Sequence, residues 1–148
     1  KKGDVFFNSI GNIYAKKICI NKILNKGGEF ISLIHPTANI SKGSKVGKGC
    51  MFASRSGMGI ESEVGDFCLV QDNAIIGHNV TVGNFARIDC NVVLIAGVSI
   101  EDDVCIHTSA VINHNIHIGR GATVGALSFV IRNVKPGTTV LGNPAKKI

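Results

Sequence analysis

From position 34 onward, an apolar side chain recurs at every sixth residue without a slip in register. The seventeen members of this column are Ile34, Ile40, Val46, Phe52, Met58, Val64, Val70, Ile76, Val82, Ile88, Leu94, Ile100, Ile106, Ile112, Ile118, Val124 and Val130. A second column, four residues further on in each hexad, holds only small or β-branched residues, from Ala38 to Val134. Neither the helical period of 3.6 nor strand alternation produces this pattern. A hexad with one large and one small inward position predicts a parallel β-helix, an all-β solenoid.

The first 33 residues carry a different pattern, which predicts one strand–helix–strand unit. The apolar run at 5–10 predicts a buried strand, and Asn12 is a suitable N-cap for a helix that ends before Gly27–Gly28. Residues 29–34 predict a second strand, which Pro36 ends because proline has no N–H to donate. We therefore expect a short N-terminal βαβ-like cap that covers the strand edges at the open end of the solenoid.

Composition and charge limit the cellular compartments and the classes of binding partner to be expected. No stretch approaches the roughly 20 apolar residues that cross a bilayer, and nothing resembles a signal peptide, so we expect a reduced, cytoplasmic setting without membrane contact. Two of the five cysteines, Cys50 and Cys68, fall in the small inward column and are interpreted as buried. The net charge of +6 attracts anions, but one Tyr and no Trp argue against nucleic acid and favour a polyphosphate cofactor.

Three segments carry a resemblance to a known family. Unbroken hexads followed by the sequence KPGTTVLGNPAKKI at 135–148 resemble the left-handed β-helix (hexapeptide-repeat) acyltransferases. The sequences IGHNVTVGNFARI at 76–88 and FISLIHPTA at 30–38 resemble the branch of sialic acid O-acetyltransferases and UDP-amino-sugar N-acetyltransferases. The resemblance implies a left-handed solenoid with three hexads per coil and a C-terminal tail at 34–148. It also implies that residues 1–33 are a truncated α/β cap, the remnant of a Rossmann-like domain.

The resemblance further implies the chemistry. Members of the family form homotrimers that bind acetyl-CoA between adjacent subunits. We therefore expect direct, general-base acetyl transfer from acetyl-CoA to a hydroxyl or amine of a sugar or nucleotide sugar. His78 matches the position of the catalytic base, and a neutral imidazole suits the removal of an acceptor proton. The family carries Asp or Glu at the next position, where this chain has Asn79. Glu61, stacked one coil below Asn79, is the candidate for the missing carboxylate.

The remaining candidate residues concern acetyl-CoA and the acceptor. Ala96, one coil above His78, is expected to offer its backbone N–H to the thioester oxygen in the transition state, with Gly97 allowing a close approach. Arg87 stands where the branch often carries a second histidine, which indicates an acidic acceptor, an altered acyl site or a solvated edge residue. Further cofactor contacts are expected at Gly125, Ala126, Lys135, Lys146 and Lys147.

Two other functions stay open at this level. A non-catalytic trimeric scaffold is suggested by the missing acidic neighbour of His78 and by the short N-terminal domain. A metal enzyme of the γ-carbonic anhydrase type is suggested by His114, 36 residues after His78. The third ligand position of such a site holds Gly119, and His117 is expected to point elsewhere. Since a catalytic zinc needs three protein ligands, the sequence predicts no metal site.

Overall fold

The computed structural model describes residues 4–148, and residues 1–3 at the start of the predicted cap lie outside this range. The cap consists of strand β1 (Val5–Phe6), helix α1 (Ile13–Leu24) and strand β2 (Glu29–Phe30). Strands β1 and β2 pair in parallel, and the Asn12 side-chain oxygen accepts the Ala15 N–H at 2.9 Å, as expected of an N-cap. In the described range, no helix has the length and apolar character needed to span a bilayer.

From residue 33 onward the chain winds into a solenoid of short strands, numbered in chain order, that form three sheets. Face 1 holds β3 (Leu33–Ile34), β6 (Met51–Phe52), β9 (Leu69–Val70), β12 (Arg87–Ile88), β15 (Cys105–Ile106), β18 (Thr123–Val124), β20 (Thr139–Leu141) and β21 (Lys146–Lys147). Face 2 holds β4 (Asn39–Ile40), β7 (Gly57–Met58), β10 (Ile75–Ile76), β13 (Val93–Leu94), β16 (Val111–Ile112) and β19 (Phe129–Val130). Face 3 holds β5 (Lys45–Val46), β8 (Glu63–Val64), β11 (Thr81–Val82), β14 (Ser99–Ile100) and β17 (His117–Ile118). Each coil is thus a triangle, whose turns we name the 1–2, 2–3 and 3–1 corners after the faces they join.

Strand register shows that residues 18 positions apart stack directly. Ile75 pairs with Val93, and Val93 pairs with Val111, in parallel along face 2. Since stacked strands lie about 4.8 Å apart, one coil advances the chain by that distance. The large inward column is at most 4% exposed from Phe52 to Val130, whereas Ile34 at its start is 46% exposed. The predicted parallel β-helix with a buried hexad core is confirmed.

The corners repeat one backbone conformation. From Arg55 to Leu127, the non-glycine residues at the fourth position of the hexad adopt left-handed φ values between 54° and 64°, among them Glu61, Asn79 and Asn115. Asparagine tolerates this region better than most residues, and Gly97 adopts it at 71° without a steric penalty. Because the same turn recurs on successive coils, side chains at equivalent corner positions stack along the solenoid.

Two predicted strands differ from the structure. The strand predicted at 5–10 is two residues long, and Val5 and Phe7 are more than half exposed, because β1 belongs to a two-stranded sheet. The strand predicted at 29–34 is split, since β2 pairs with β1 whereas β3 pairs with β6 on face 1. The chain changes sheets at Ser32, whose hydroxyl donates to a carbonyl of the first coil at 2.7 Å.

The cap docks on the 3–1 corner through polar and aromatic contacts. Lys16 is fully buried, and its Nζ donates to the Phe67 carbonyl at 3.0 Å. Burial lowers the pKa of Lys16 below its usual value. Lys17 pairs with Asp103 at 2.5 Å and lies 4.8 Å from the centroid of the Phe85 ring. Helix α1 is therefore held to the solenoid by specific contacts as well as by apolar packing.

The C-terminal tail contains one strand more than the sequence predicts. Strand β20 is the expected final strand, and β21 then returns antiparallel to it, pairing Lys147 with Val140 and Lys146 with Leu141. Gly142 begins the reversal with a φ of 106°, a conformation that favours glycine. The hairpin gives the last strand of face 1 a partner along an edge that would otherwise be unpaired.

Candidate active site

The 2–3 corner of the third coil carries His78 and is fixed by the coil beneath it. The hydroxyl of Ser62, an inward residue, donates to the Gly77 carbonyl at 2.7 Å and accepts the Val80 N–H at 3.0 Å. The Asn79 N–H donates to a carbonyl of the coil below, also at 3.0 Å. These bonds lie on both sides of His78, so its backbone is held in place while its side chain is exposed.

The side chains of Glu61, Asn79 and His78 form a hydrogen-bonded chain at this corner. Asn79 Nδ2 donates to Glu61 Oε2 at 2.9 Å, and Asn79 Oδ1 lies 2.7 Å from His78 Nδ1. Because a carboxylate only accepts, the amide turns its NH₂ group toward Glu61 and its oxygen toward the imidazole. His78 Nδ1 is then the protonated nitrogen, which leaves Nε2 free to accept a proton. Glu61 lies one coil below Asn79, as the spacing of 18 residues predicts.

Ala96 and Gly97 occupy the same corner one coil above His78. The Gly97 N–H donates to the His78 carbonyl at 3.1 Å, which ties the two coils together. Among the bonds made within residues 4–148, none involves the Ala96 N–H, so this donor is available to a ligand. A Cβ at Gly77 would lie 3.0 Å from the Ala96 nitrogen, so glycine keeps the approach open. The corner therefore combines an exposed imidazole with an unpaired backbone donor about 4.8 Å away along the solenoid axis.

The other predicted cofactor residues lie elsewhere on the solenoid. Gly125 and Ala126 are on the 1–2 corner, so face 2 separates them from Ala96. A cavity of about 430 Å³ lies at the C-terminal end of the solenoid. It is lined by four basic side chains, those of Arg132, Lys135, Lys146 and Lys147. Within a single chain, the predicted lysines therefore lie together at the cavity, whereas Ala96 and Gly125 lie on two other parts of the solenoid.

Arg87 lies on face 1, which is opposite the 2–3 corner in the triangular coil, so it does not meet His78 within one chain. Its guanidinium is held by Asp89, with Nε–Oδ1 at 2.6 Å and Nη2–Oδ2 at 3.1 Å. This hydrogen bonding raises the pKa of Arg87. His107 Nδ1 lies 3.0 Å from the same carboxylate, whose side chain is 5% exposed. Because an internal carboxylate occupies Arg87, an acidic acceptor at this residue stays a prediction.

The sequence assigned no role to Asp89 and His107, although a signal was present. The two residues are 18 positions apart and both directly follow a large inward residue, Ile88 and Ile106. The stacking rule that placed Glu61 beneath Asn79 therefore also places Asp89 beneath His107.

The histidines of the alternative metal site do not converge. His114 is exposed on the 2–3 corner, two coils above His78. His117 lies on face 3, where its Nε2 is 3.2 Å from Glu101 Oε1. Within the described part of the chain, no three His, Cys, Asp or Glu side chains are grouped so as to hold a metal ion.

Comparisons with known proteins find acetyltransferases among the proteins that are similar to this chain. No family model matches the chain. PerB, a perosamine N-acetyltransferase from Caulobacter crescentus in complex with CoA and GDP-perosamine, matches with a TM-score of 0.95 over 98% of this chain and 70% of that protein, at 23% identity. The acetyltransferase domain of PglB from Neisseria gonorrhoeae FA1090 matches with a TM-score of 0.92 over 96% of this chain and 69% of that protein, at 25% identity. A curated relative, 2,3,4,5-tetrahydropyridine-2,6-dicarboxylate N-acetyltransferase from Staphylococcus aureus, is 45% identical over 51 residues.

The matches differ in extent. The solved structures share the fold over nearly all of this chain, whereas the segment similar to the S. aureus enzyme is 34% of this chain and spans about a fifth, 21%, of that protein. The origin of residues 1–33 as part of a Rossmann-like domain stays a prediction. The resemblance read from the hexads and the C-terminal tail is confirmed: the chain is a left-handed parallel β-helix that resembles the hexapeptide-repeat acetyltransferases.

Proposed function

We propose that this chain transfers an acetyl group from acetyl-CoA to an amine or hydroxyl of a nucleotide-linked sugar. The observation that carries the proposal is the hydrogen-bonded chain of Glu61, Asn79 and His78 beside the unpaired Ala96 N–H. Similar proteins support the donor and the acceptor class, since PerB is in complex with CoA and GDP-perosamine and the PglB domain with acetyl coenzyme A. An amine acceptor is favoured over a hydroxyl because PerB and the S. aureus relative are N-acetyltransferases.

In the proposed reaction, His78 Nε2 takes a proton from the acceptor as the acceptor nitrogen or oxygen attacks the thioester carbon. The C–S bond breaks, the acetyl group passes to the acceptor, and the CoA thiolate takes the proton back from the imidazolium. Asn79 holds the ring with Nε2 free, and Glu61 orients the amide. The Ala96 N–H donates to the thioester oxygen as negative charge develops on it.

The phosphates of CoA have a suitable partner in the basic cavity at the C-terminal end. Its lining combines four cationic side chains with apolar ones, including Val130, Val134 and Val140. Cationic side chains bind phosphate oxygens by charge-assisted hydrogen bonds. This assignment gives Lys135 and Lys146 the cofactor role predicted from the sequence.

The test measures acetyl-CoA binding and turnover in the same preparations. Calorimetry with acetyl-CoA, and a thiol-release assay against a panel of nucleotide-linked amino sugars, are applied to the wild type and to His78→Ala. We expect both proteins to bind acetyl-CoA with similar affinity. Turnover is expected to fall by about 10²–10⁴-fold in His78→Ala, the usual contribution of a general base. His117→Ala, a histidine variant on face 3, is the matched control and should keep wild-type turnover.

Two results would contradict the proposal. Absence of acetyl-CoA binding in the wild type would remove the donor and favour a scaffold. Turnover in His78→Ala equal to that of the wild type would leave the reaction but remove His78 as its base.

A further inference from the structure

Two thiols stack on one another inside the solenoid. Cys50 lies at the 3–1 corner that ends the first coil, and Cys68 lies 18 residues later, at the same corner of the second coil. Each residue is 1% exposed. The Met51 N–H donates to the Cys68 carbonyl at 2.9 Å, so the two backbones lie side by side as neighbouring parallel strands do. The Cα atoms are therefore about 4.8 Å apart, within the roughly 4.4–6.8 Å that disulfides span.

The orientation of the Cys50 thiol brings it toward its neighbour. Cys50 Sγ lies 3.0 Å from the Gly65 carbonyl oxygen, which belongs to the second coil, so this sulfur points toward the coil that carries Cys68. Cys68 Sγ points one coil higher, toward the Gly83 carbonyl oxygen at 3.0 Å. Rotation of the Cys68 side chain about its Cα–Cβ bond would turn its sulfur back toward Cys50. The two Cβ atoms would then need to approach by only about 0.3 Å to reach the separation of roughly 4.5 Å found in disulfides.

The surroundings of the pair favour a thiolate on Cys50. A hydrogen bond between the two thiols lowers the pKa of Cys50 below its usual value. The same hydrogen bond, together with burial, raises the pKa of Cys68. The Lys16 ammonium, which donates to the Phe67 carbonyl next to Cys68, attracts negative charge on either sulfur. Because the thiolate is the reactive form of cysteine, Cys50 is suited to be the nucleophile of the pair and Cys68 the resolving thiol.

We propose that Cys50 and Cys68 are a modification site, at which a small-molecule disulfide oxidises the two thiols to a disulfide that joins the first coil to the second. The Cys50 thiolate attacks one sulfur of the oxidant, whose S–S bond breaks and whose released half takes up a proton as a thiol. The Cys68 thiol then loses its proton and attacks the Cys50 sulfur of the mixed disulfide, which releases the other half of the oxidant as a second thiol. Two electrons thus pass from the cysteine pair to the oxidant.

An oxidant reaches the pair through the N-terminal end of the solenoid. Below Cys50 lies Ser32, whose hydroxyl accepts the Cys50 N–H at 3.0 Å, and helix α1 covers the same corner through Lys16. The cap that contains α1 has only a two-stranded sheet in the described range, and Ile34 of the first coil is exposed. The end of a solenoid opens locally more readily than its middle. Opening of the cap therefore exposes Cys50 while Cys68 stays stacked behind it.

The segment that the bond would enclose carries a residue of the candidate active site. Residues 50–68 include Glu61, whose Oε2 accepts a hydrogen bond from Asn79 in the third coil. A bond between the first two coils restricts the opened states of both, so Glu61 is expected to stay beneath Asn79 under conditions that otherwise open this end. This consequence for catalysis rests on the proposed function, whereas the bond itself does not.

The first experiment maps the bond in the full chain. The reduced protein is equilibrated with oxidised glutathione under native conditions, denatured in N-ethylmaleimide and digested for mass spectrometry. We expect peptides joined through Cys50 and Cys68, with Cys19, Cys90 and Cys105 alkylated. Cys68→Ala should instead carry glutathione on Cys50, because the resolving thiol is missing. Cys90→Ala is the matched control and should form the bond as the wild type does.

Folding and access are tested separately. Serine and alanine occupy the same inward column at Ser56, Ser62 and Ala74, so the alanine variant should fold, which circular dichroism checks. Refolding the denatured wild type in the same glutathione buffer gives the bond a second route, which does not depend on opening of the cap. Absence of the bond by both routes in a natively folded protein would overturn the proposal. Pairing of Cys50 or Cys68 with another cysteine would do the same.

The second experiment measures what the bond does. Amides of β6 to β8, inside the enclosed segment, should exchange about fivefold more slowly in the oxidised than in the reduced wild type, and those of β15 to β17 should be unchanged. Transferase activity should persist to a higher urea concentration in the oxidised protein, and dithiothreitol should abolish the difference.

Equal exchange and equal urea sensitivity in the oxidised and reduced forms would refute the stabilising effect of the bond. A mapped bond that slows exchange in a protein without any transferase activity would leave the modification site standing and refute the proposed function instead.

Discussion

At the scale of single residues, the distinctive feature is an amide between a histidine and a carboxylate. Asn79 fixes the tautomer of His78 but carries no charge to offset an imidazolium. Glu61 supplies that charge one coil below, 2.9 Å from the amide nitrogen. The electrostatic support of the proposed base is therefore indirect, and it depends on the amide staying in one orientation.

This arrangement predicts the behaviour of Glu61→Gln. Glutamine can still accept from Asn79 but removes the negative charge, and it also offers an NH₂ group that permits the amide to flip. We expect kcat to fall about tenfold or more, because general-base catalysis depends on the correct tautomer. The KM for acetyl-CoA should be unchanged. Steady-state kinetics with both substrates varied, repeated across pH, separates these effects.

Glu63→Gln is the matched control, since Glu63 lies on face 3 and pairs with Lys45 instead. Wild-type kcat and an unchanged pH profile in Glu61→Gln would remove Glu61 from the mechanism. An equal loss in Glu63→Gln would attribute the effect to the overall charge of the coil.

Because residues 18 positions apart stack on one another, part of the candidate site was predictable from the sequence. From the sequence alone, this stacking places Glu61 beneath Asn79 and Ala96 above His78. It gave no information on side-chain torsions, and so the ion pair of Arg87 with Asp89, two residues away on one chain, was missed. Local pairs of this kind depend on how a corner turns a side chain, which the hexad pattern does not encode.

At the scale of elements, the contact of the cap with the solenoid depends on a buried lysine. Lys16 reaches the Phe67 carbonyl with no carboxylate as its hydrogen-bond partner. Burial lowers its pKa in the folded protein, so the unfolded chain binds this proton more tightly between the lowered pKa and about 10.5. The free energy of unfolding should therefore rise with pH through this range and fall as pH drops through the lowered pKa.

Lys16→Met should remove this contribution. Within the range, the wild type gains up to about 1.4 kcal/mol per pH unit from Lys16, and the variant gains none. Urea unfolding at several pH values between 7 and 10 measures the difference. Burial raises the pKa of Cys105 and hydrogen bonding to Cys50 raises that of Cys68, which opposes the rise, but both thiols are common to the two proteins.

Lys22→Met, an exposed position in the last turn of α1, is the control and should keep the wild-type slope. Identical pH dependence in the wild type and in Lys16→Met would show that Lys16 is not the group responsible.

The elements of the cap were less predictable than the coils. The sequence predicts a single strand over residues 29–34, because a pattern of apolar residues does not indicate where a chain leaves one sheet and enters another. The helix was predictable from Asn12 and Gly27–Gly28, which are local signals. The hexads were predictable throughout because seventeen repetitions of one pattern leave a single register.

At the scale of the whole molecule, stability should be graded along the axis. Each coil contacts its immediate neighbours, so the inner coils are covered on both sides and the first coil is less so. Ile34 is 46% exposed at that end, while Ile88 and Ile106 are fully buried.

We expect amide hydrogen exchange to follow this gradient. The amides of β3 to β5 should exchange faster than those of β9 to β17, because local opening at an end breaks fewer contacts. Exchange measured by mass spectrometry at peptide resolution checks this. Uniform protection from β3 to β17 would indicate that the solenoid opens as one cooperative unit.

Because the corners recur at every sixth residue, the number of residues between two positions decides whether they lie on the same corner. This limits which deletions the protein can tolerate during evolution. Loss of six residues between Asn79 and Ala96 would leave every inward column intact, yet it would move Ala96 to the 1–2 corner and away from His78. Loss of the 18 residues 80–97 would keep the corners in register but would remove Ala96 and place His114 one coil above His78. Deletion of one hexad in this interval therefore preserves the packing of the core but separates the residues of the candidate site. The lineage of such a protein can gain or lose coils freely only outside the interval that separates its base from its backbone donor.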